Sequence, residues 1–265
     1  MPHSINNQMY NEQAGAWWDE NSPLHLLKAM VNPWRVPYFE AALKEHFGAR
    51  LPGLRLLDVG CGGGVLAEEF ARLGCQVTGI DIAEASLNVA RAHARRLGLR
   101  IHYQVASAVQ LPFEAGRFQV VSCCDALEHI PEWEQVIAEA GRALEPGGLF
   151  LFDTINRTPK SRVTFISGLQ DWPLTRLFPA DTHVWEMFIT PAELTDALRR
   201  RGLEMTGLRG GVIPRDPLST LREVRRYKRG QITAAELGRS LALALDGDLS
   251  LNYLGVARKG GRAEP

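Results

Sequence analysis

The stretch Leu56-Leu57-Asp58-Val59-Gly60-Cys61-Gly62-Gly63-Gly64 decides the fold. An apolar run of strand character ends at Val59, three glycines follow in the spacing G-x-G-x-G (Gly60, Gly62, Gly64), and a helical stretch starts at Val65. Glycines let the backbone come within contact distance of a ligand, and free amides at a helix start attract a carboxylate or phosphate. A nucleotide-containing ligand is expected. Position 65 is Val65 where the G-x-G-x-x-G dinucleotide fingerprint requires glycine, which tilts the reading away from NAD. Asp81 closes the next apolar run 17 residues beyond Gly64, where an acidic side chain accepts hydrogen bonds from both hydroxyls of a ribose.

Outward from this loop, apolar runs alternate with amphipathic stretches. The runs are Arg55–Val59, Gln76–Ile80, Arg100–Val105, Phe118–Cys124 and Leu149–Asp153, and the helical stretches between them are Val65–Leu73, Glu84–Leu97 and Pro131–Leu144. Parallel strands need crossover connections, so this alternation predicts an α/β fold, a mostly parallel sheet with helices on both faces. Residues 1–53 contain Trp17, Trp18, Trp34, Tyr38 and Phe39, look helical over Pro37–Phe47, and read as an N-terminal cap on the main domain of 54–258. Two insertions interrupt that domain, at 156–182 and at 214–247. Helix Pro191–Arg201 and strands Leu203–Leu208 and Leu249–Ala257 resume the alternation, and 259–265 reads as a flexible tail.

Composition bounds the function. The 265 residues are 45% hydrophobic, with 30 basic and 30 acidic side chains, values of an ordinary globular protein and not of a disordered chain. Zero net charge opposes a general nucleic-acid binder. Ten basic residues against three acidic ones between Arg199 and Arg229 read either as a solvated helical face or as a contact for an anion. The longest apolar runs are strand-sized, well short of the ~20 residues a spanning helix needs. The polar start MPHSINNQMYNEQ lacks the order of a secretory signal, and Cys61, Cys75, Cys123 and Cys124 lack framework spacing. A cytoplasmic protein with free thiols is expected.

At this point the region resembles the class I S-adenosylmethionine-dependent methyltransferases. The resemblance rests on Leu57–Gly64, on Asp81, on Leu111-Pro112-Phe113, and on Leu144-Glu145-Pro146-Gly147-Gly148. It implies a Rossmann-like, seven-stranded sheet with an antiparallel last strand. It also implies S-adenosylmethionine as cofactor: Gly60, Gly62 and the following amides around the methionine part, Asp81 on the ribose, and Ser107 and Ala108 beside the adenine. Asp58, Gly64 and Ile82 belong to the same expected cofactor set. The commonest pattern has Asp at 107, where this chain has Ser107.

Further markers are similar to the ubiquinone-pathway O-methyltransferases, which methylate a phenol or catechol oxygen on a polyprenylated ring. They include Trp17-Trp18-Asp19, Asn32-Pro33-Trp34-Arg35, Leu127-Glu128-His129-Ile130-Pro131, Ile155–Ser161, Thr182-His183, Phe188–Leu194 and Leu251-Asn252-Tyr253. The insertion at about 214–247 departs from that family. The resemblance implies that Arg35 binds the cofactor carboxylate and that Cys124 contacts the cofactor where the family usually has Met.

Methyl transfer to a phenol needs alignment and a route for the phenolic proton. Asp125, Glu128 and His129 stand at i, i+3 and i+4, so a helical turn starting there puts them on one side. Three readings stay open: a divalent cation such as magnesium held by these three with Asn156, His129 as general base oriented by Glu128, or a capped turn before Pro131. The segment Lys160–Phe178, apolar with basic flanks, reads as a lid over the site, as a surface for peripheral membrane contact, or as both. The leading expectation is methylation of a phenolic, quinone-precursor oxygen. Beside it stand O- or N-methylation of a soluble secondary metabolite, a dinucleotide-dependent oxidoreductase, and a catalytically silent cofactor-binding protein.

Overall fold

The computed structural model describes residues 7–49 and 51–261; residues 1–6 of the expected cap and 262–265 of the expected tail lie outside the described residues. The chain opens with α1 (Met9–Glu12), two short 3₁₀ turns at Ala14–Trp18 and Pro23–His25, and a π-helical turn at Leu27–Val31 that leads into α2 (Asn32–Phe47). Helix α2 starts one turn earlier than the sequence suggests. Pro33 takes the first turn, where a missing N–H costs nothing, and Pro37 lies inside the helix.

The alternating region forms β1 (Arg55–Val59), α3 (Ala67–Arg72), β2 (Gln76–Asp81), α4 (Glu84–Arg96), β3 (Ile101–Val105), β4 (Phe118–Cys123), α5 (Trp133–Ala143) and β5 (Leu144–Ile155). Beyond it come α6 (Pro159–Ser161), a π-helical segment Arg162–Asp171, α7 (Pro191–Arg200), β6 (Leu203–Val212), α8 (Pro217–Lys228), α9 (Ala234–Ser240), β7 (Ala244–Asp246) and β8 (Asn252–Lys259). They build one sheet in the order β3-β2-β1-β4-β5-β8-β6-β7. Strands β1 to β5 pair in parallel, and β8 enters antiparallel between β5 and β6.

The sheet has eight strands, not seven. The additional one, β7, comes from inside the 214–247 insertion and pairs with Gly210–Val212, because β6 continues past Leu208. Gly210 and Gly211 look like the end of a strand in sequence but are there for close approach. A Cβ on Gly210 would strike the Asp248 carbonyl oxygen, and one on Gly211 would come within 3.0 Å of the Trp34 ring. At the other end of the chain, Lys259 belongs to β8 and donates to the Leu144 carbonyl oxygen at 2.6 Å, so the tail starts later than expected.

Both faces of the sheet are covered, with Leu56 facing one core and Leu57 and Val59 the other, as the two-residue period requires. The first core gathers Trp34, Phe39, Leu43, Phe70 and Leu87, and the second Val121, Ile137, Phe150, Phe152 and Leu198. The cap is fastened over the glycine loop by its tryptophans. Trp17 Nε1 donates to Ser86 Oγ at 2.9 Å, Trp18 Nε1 donates to the Gly63 carbonyl at 2.9 Å, and Trp34 Nε1 donates to the Gly210 carbonyl at 3.1 Å. The insertion forms a small third core, Val224, Leu237 and Leu241 against Leu26 of the cap.

Candidate active site

The carboxyl ends of β1, β2, β4 and β5 open into one large cavity of about 980 Å³, roofed by the cap, the Arg162–Asp171 segment and α8. Open α/β sheets gather ligands at this edge. Of the expected cofactor residues, Arg35, Asp58, Gly60, Gly62, Asp81, Ile82, Ser107, Ala108 and Cys124 all line the cavity. Gly64 does not. Its φ of +81° turns the chain, and a Cβ there would collide with the Tyr103 hydroxyl and lie 3.1 Å from Ala90 Cβ, so this glycine serves packing between the loop, β3 and α4.

The loop suits S-adenosylmethionine. Gly60 and Gly62 have φ of +70° and +49°, and added Cβ atoms would meet Ala126 Cβ at 2.8 Å and the Trp17 ring at 2.5 Å. Asp81 accepts from Gly62 N and Ala83 N, both at 2.8 Å, which fixes its carboxylate at the cavity wall with lone pairs left for two hydroxyls. Burial raises its pKa, opposed by those amides. Ile82 is 61% exposed inside the cleft, an apolar surface fit for an adenine face. Asp58 accepts from Ser122 Oγ at 2.7 Å through one oxygen, while its buried Oδ2 has no partner among the described residues. Burial pushes Asp58 up to about 7, with the Ser122 hydroxyl and Arg35 opposing. A buried acceptor without a donor is costly, and a ligand ammonium would satisfy it.

Arg35 lines the cavity and makes its ionic contacts to the chain's own side chains. Its guanidinium lies in the protein, donating through Nη1 to Asp125 and to Asp153 at 3.0 Å, and through Nε to Asn32 Oδ1 at 2.9 Å. Burial alone would favour its neutral form; the two carboxylates outweigh this and hold it charged. The carboxylates it grips are therefore the chain's own. Asp153, which also accepts from Asp125 N at 2.8 Å, is absent from the sequence-based site; its position at the end of an apolar run was the available signal. Cys124 is buried in the cavity wall, and burial pushes its thiol far up, so it packs as a neutral side chain.

The expected metal set Asp125, Glu128, His129 and Asn156 is not gathered. Among the described residues, no group of three or more His, Cys, Asp or Glu side chains is arranged to hold an ion. The reason is local. The helical turn covers only Leu127–His129, and Asp125 precedes it in the left-handed region at φ +49°, so the i, i+3, i+4 alignment never forms. Asp125 turns to Arg35, Glu128 accepts from Thr154 Oγ1 at 2.9 Å, and Asn156 donates to the Leu249 carbonyl at 2.8 Å outside the cavity lining. Burial and the charge of Asp125 push Glu128 up to about 8, so it is largely protonated at neutral pH.

His129 faces the cavity beside this cluster. Its Nε2 lies 3.5 Å from the Tyr10 hydroxyl, and its buried Nδ1 has no partner among the described residues. Burial lowers its pKa to about 4, despite Asp125. Burial thus keeps the imidazole neutral. Tyr10 and Thr154, both cavity-lining, could not be recognised from sequence because neither stands in a motif.

This fold and loop define a class I S-adenosylmethionine-dependent methyltransferase. A methyltransferase-domain family model matches residues 57–152. The magnesium protoporphyrin IX methyltransferase of Synechocystis PCC 6803, solved with bound S-adenosylhomocysteine, superposes with a TM-score of 0.56 at 19% identity over 84% of this chain and 81% of that one. The [4+2]-cyclase SpnF superposes at 0.55 with 23% identity over 84% and 80%, and at such identities only the fold is shared. Sequence carries further. A Nitrosococcus oceani protein named ubiquinone biosynthesis O-methyltransferase is 39% identical over 254 residues, 94% of this chain and 93% of its own. One of the same name from Bordetella avium is 36% identical over 94% and 91%. The chain belongs to the ubiquinone biosynthesis O-methyltransferase family, and it is an S-adenosylmethionine-dependent O-methyltransferase.

Proposed function

We propose that this chain moves the methyl group of S-adenosylmethionine to a phenol or catechol oxygen of a quinone precursor, with His129 removing the phenolic proton. The observation that carries this reading is His129, a neutral imidazole lining the same cavity as the glycine loop with its Nε2 3.5 Å from the Tyr10 hydroxyl. The relatives' names favour oxygen over nitrogen as the acceptor.

When bound, the cofactor supplies a methyl group on a positively charged sulfur. Gly60 and Gly62 admit its amino-acid end, Asp58 offers an oxygen to its ammonium, and Asp81 orients its ribose. His129 would accept the phenolic proton as the acceptor oxygen takes the methyl group; the S–CH₃ electron pair would stay on sulfur, giving S-adenosylhomocysteine. If proton and methyl transfer coincide, an imidazole of low basicity at His129 would suffice. The cap excludes water from this step through Trp17 and Trp18 over the glycine loop.

Asp125, Glu128, His129 and Asn156 form no convergent ligand set among the described residues, and we take His129 as the group that removes the proton. Chelated, demonstrably metal-free enzyme should keep its activity. His129→Ala should lose roughly 10²- to 10⁴-fold in turnover, partly recovered as rising pH supplies phenolate from solution. Abolition by chelator with return on adding magnesium would replace His129 by the ion.

The reading extends to membrane contact. No helix among the described residues is long and apolar enough to cross a membrane. Val163, Trp172 and Leu174 of the 160–178 segment are 66%, 55% and 62% exposed, while Phe165, Leu169, Leu177 and Phe178 line the cavity. A lid with apolar groups on both sides lets an apolar acceptor pass from a bilayer interface into the site.

A further inference from the structure

Glu68 of α3 has no part in the site described above, yet its side chain is fully buried. A buried carboxylate is costly unless its oxygens are paired. Both are. Oε2 accepts from Arg72 Nη2 at 2.9 Å, one turn along the same helix, and Oε1 lies 2.6 Å from His93 Nδ1 of α4. A carboxylate only accepts, so the imidazole nitrogen donates. The Arg72 contact stays within α3, whereas the His93 contact reaches across to α4 and fixes the plane of the imidazole.

That plane carries Trp18 of the cap. The two rings stack with centroids 3.5 Å apart and planes 7° from parallel, and the Lys28 ammonium lies 4.7 Å from the same indole centroid. The polar edge of the indole reaches the glycine loop, where Nε1 donates to the Gly63 carbonyl at 2.9 Å. Gly63 has no room for an anchor of its own, because a Cβ there would strike the Trp17 ring. The neighbouring Gly62 N donates to Asp81 at 2.8 Å, so the loop is tethered from the cap and from β2. A run of contacts thus leads from Glu68 through His93 and Trp18 to the loop.

We propose that His93 is a positioning residue for S-adenosylmethionine: oriented by Glu68, its ring seats Trp18, and Trp18 holds the Gly63 carbonyl so that the loop amides keep the arrangement that binds the cofactor. The inference rests on the placement of S-adenosylmethionine at the glycine loop. Glu68, His93 and Trp18 all lie outside the cavity lining, so they act on the cofactor only through that loop. Without the imidazole the indole loses the surface it lies on, and the Gly63 carbonyl loses a donor held in place. A stacked aromatic pair is worth roughly three- to tenfold in an equilibrium constant.

The test measures the Kd for S-adenosylmethionine by calorimetry on the full chain, with KM and kcat alongside. His93→Ala should raise the Kd and the KM for S-adenosylmethionine by roughly three- to tenfold, while kcat at saturating cofactor stays within about twofold. His93→Gln keeps a donor for Glu68 and so spares the link between α3 and α4; it should show the same loss, because it lacks the ring, and it serves alone if His93→Ala does not fold. Trp18→Leu should weaken binding at least as much, and adding His93→Gln to it should cost nothing further, since the imidazole acts through the indole. Wild-type affinity in folded His93→Gln, or losses that add in the double variant, overturns the assignment and leaves the cofactor site intact. A wild type with no affinity for S-adenosylmethionine removes the cofactor site itself, and the assignment falls with it.

Discussion

The Asp81 carboxylate accepts two backbone amides and lines the cavity, so one side chain closes the glycine turn and, in the proposed function, would hold the ribose. Charge-assisted hydrogen bonds contribute about 1.5–3 kcal/mol each. Asp81→Ala should therefore weaken S-adenosylmethionine binding by roughly ten- to a hundredfold or more in a calorimetric titration, and unchanged affinity would refute the ribose role. Asp58 carries a pH signature. Its folded pKa of about 7 exceeds its ordinary value of 3.8, so the folded state binds more protons between those pH values and loses stability as pH rises through that window. Asp58→Asn should raise the thermal midpoint of the ligand-free chain at pH 8 and give a shrinking advantage toward pH 4. An advantage independent of pH would show that Asp58 is not held protonated. At this scale the sequence was legible where a residue stands in a motif: Asp58, Gly60, Gly62 and Asp81 reach the cavity as expected. It was silent on the partner of Arg35, because Asp153 lies 118 positions away and no local pattern announces such a contact.

Elements were legible wherever hydrophobic period and length agree. Strands β1 to β4 match the apolar runs to within a residue at either end, and the central β1 and β4, largely buried on both faces, read as nearly continuous apolar stretches. Strand β7 was hidden because three residues from an insertion of mostly helical composition pair with a glycine-bearing extension of β6. The Asp125–His129 stretch failed for the opposite reason: its spacing fits a helix, but the chain after β4 makes a left-handed residue and a short 3₁₀ turn. The basic run from Arg199 to Arg229 resolves into ordinary surface pairing at several positions. Arg199 meets Asp196, Arg200 meets Glu134, and Arg226 meets Glu223. The 160–178 segment gives the test proper to this scale. Its outward residues are Trp172 and Leu174, so Trp172→Glu with Leu174→Glu should abolish co-sedimentation with anionic vesicles while S-adenosylmethionine affinity is kept. Equal sedimentation of variant and wild type would leave the segment as a lid alone.

Across the whole molecule, the parallel half of the sheet supplies the cofactor loop, and the later insertions supply the roof. The cap, the 160–178 segment and α8 each contribute cavity residues: Tyr10, Phe165 and Val224 are examples. The motif-bearing half is thus the readable half, because one backbone geometry serves one cofactor. The roof is built by packing between segments far apart in the chain, which local sequence does not encode. The claim that joins both halves is methyl transfer to an oxygen of a catechol-type ring. Its most direct test is mass spectrometry of the products formed when the purified chain is given S-adenosylmethionine and a prenylated catechol. The account predicts a singly O-methylated catechol and S-adenosylhomocysteine in equal amounts. Cofactor binding with no methylated product, or a methyl group found on carbon or nitrogen, would contradict it.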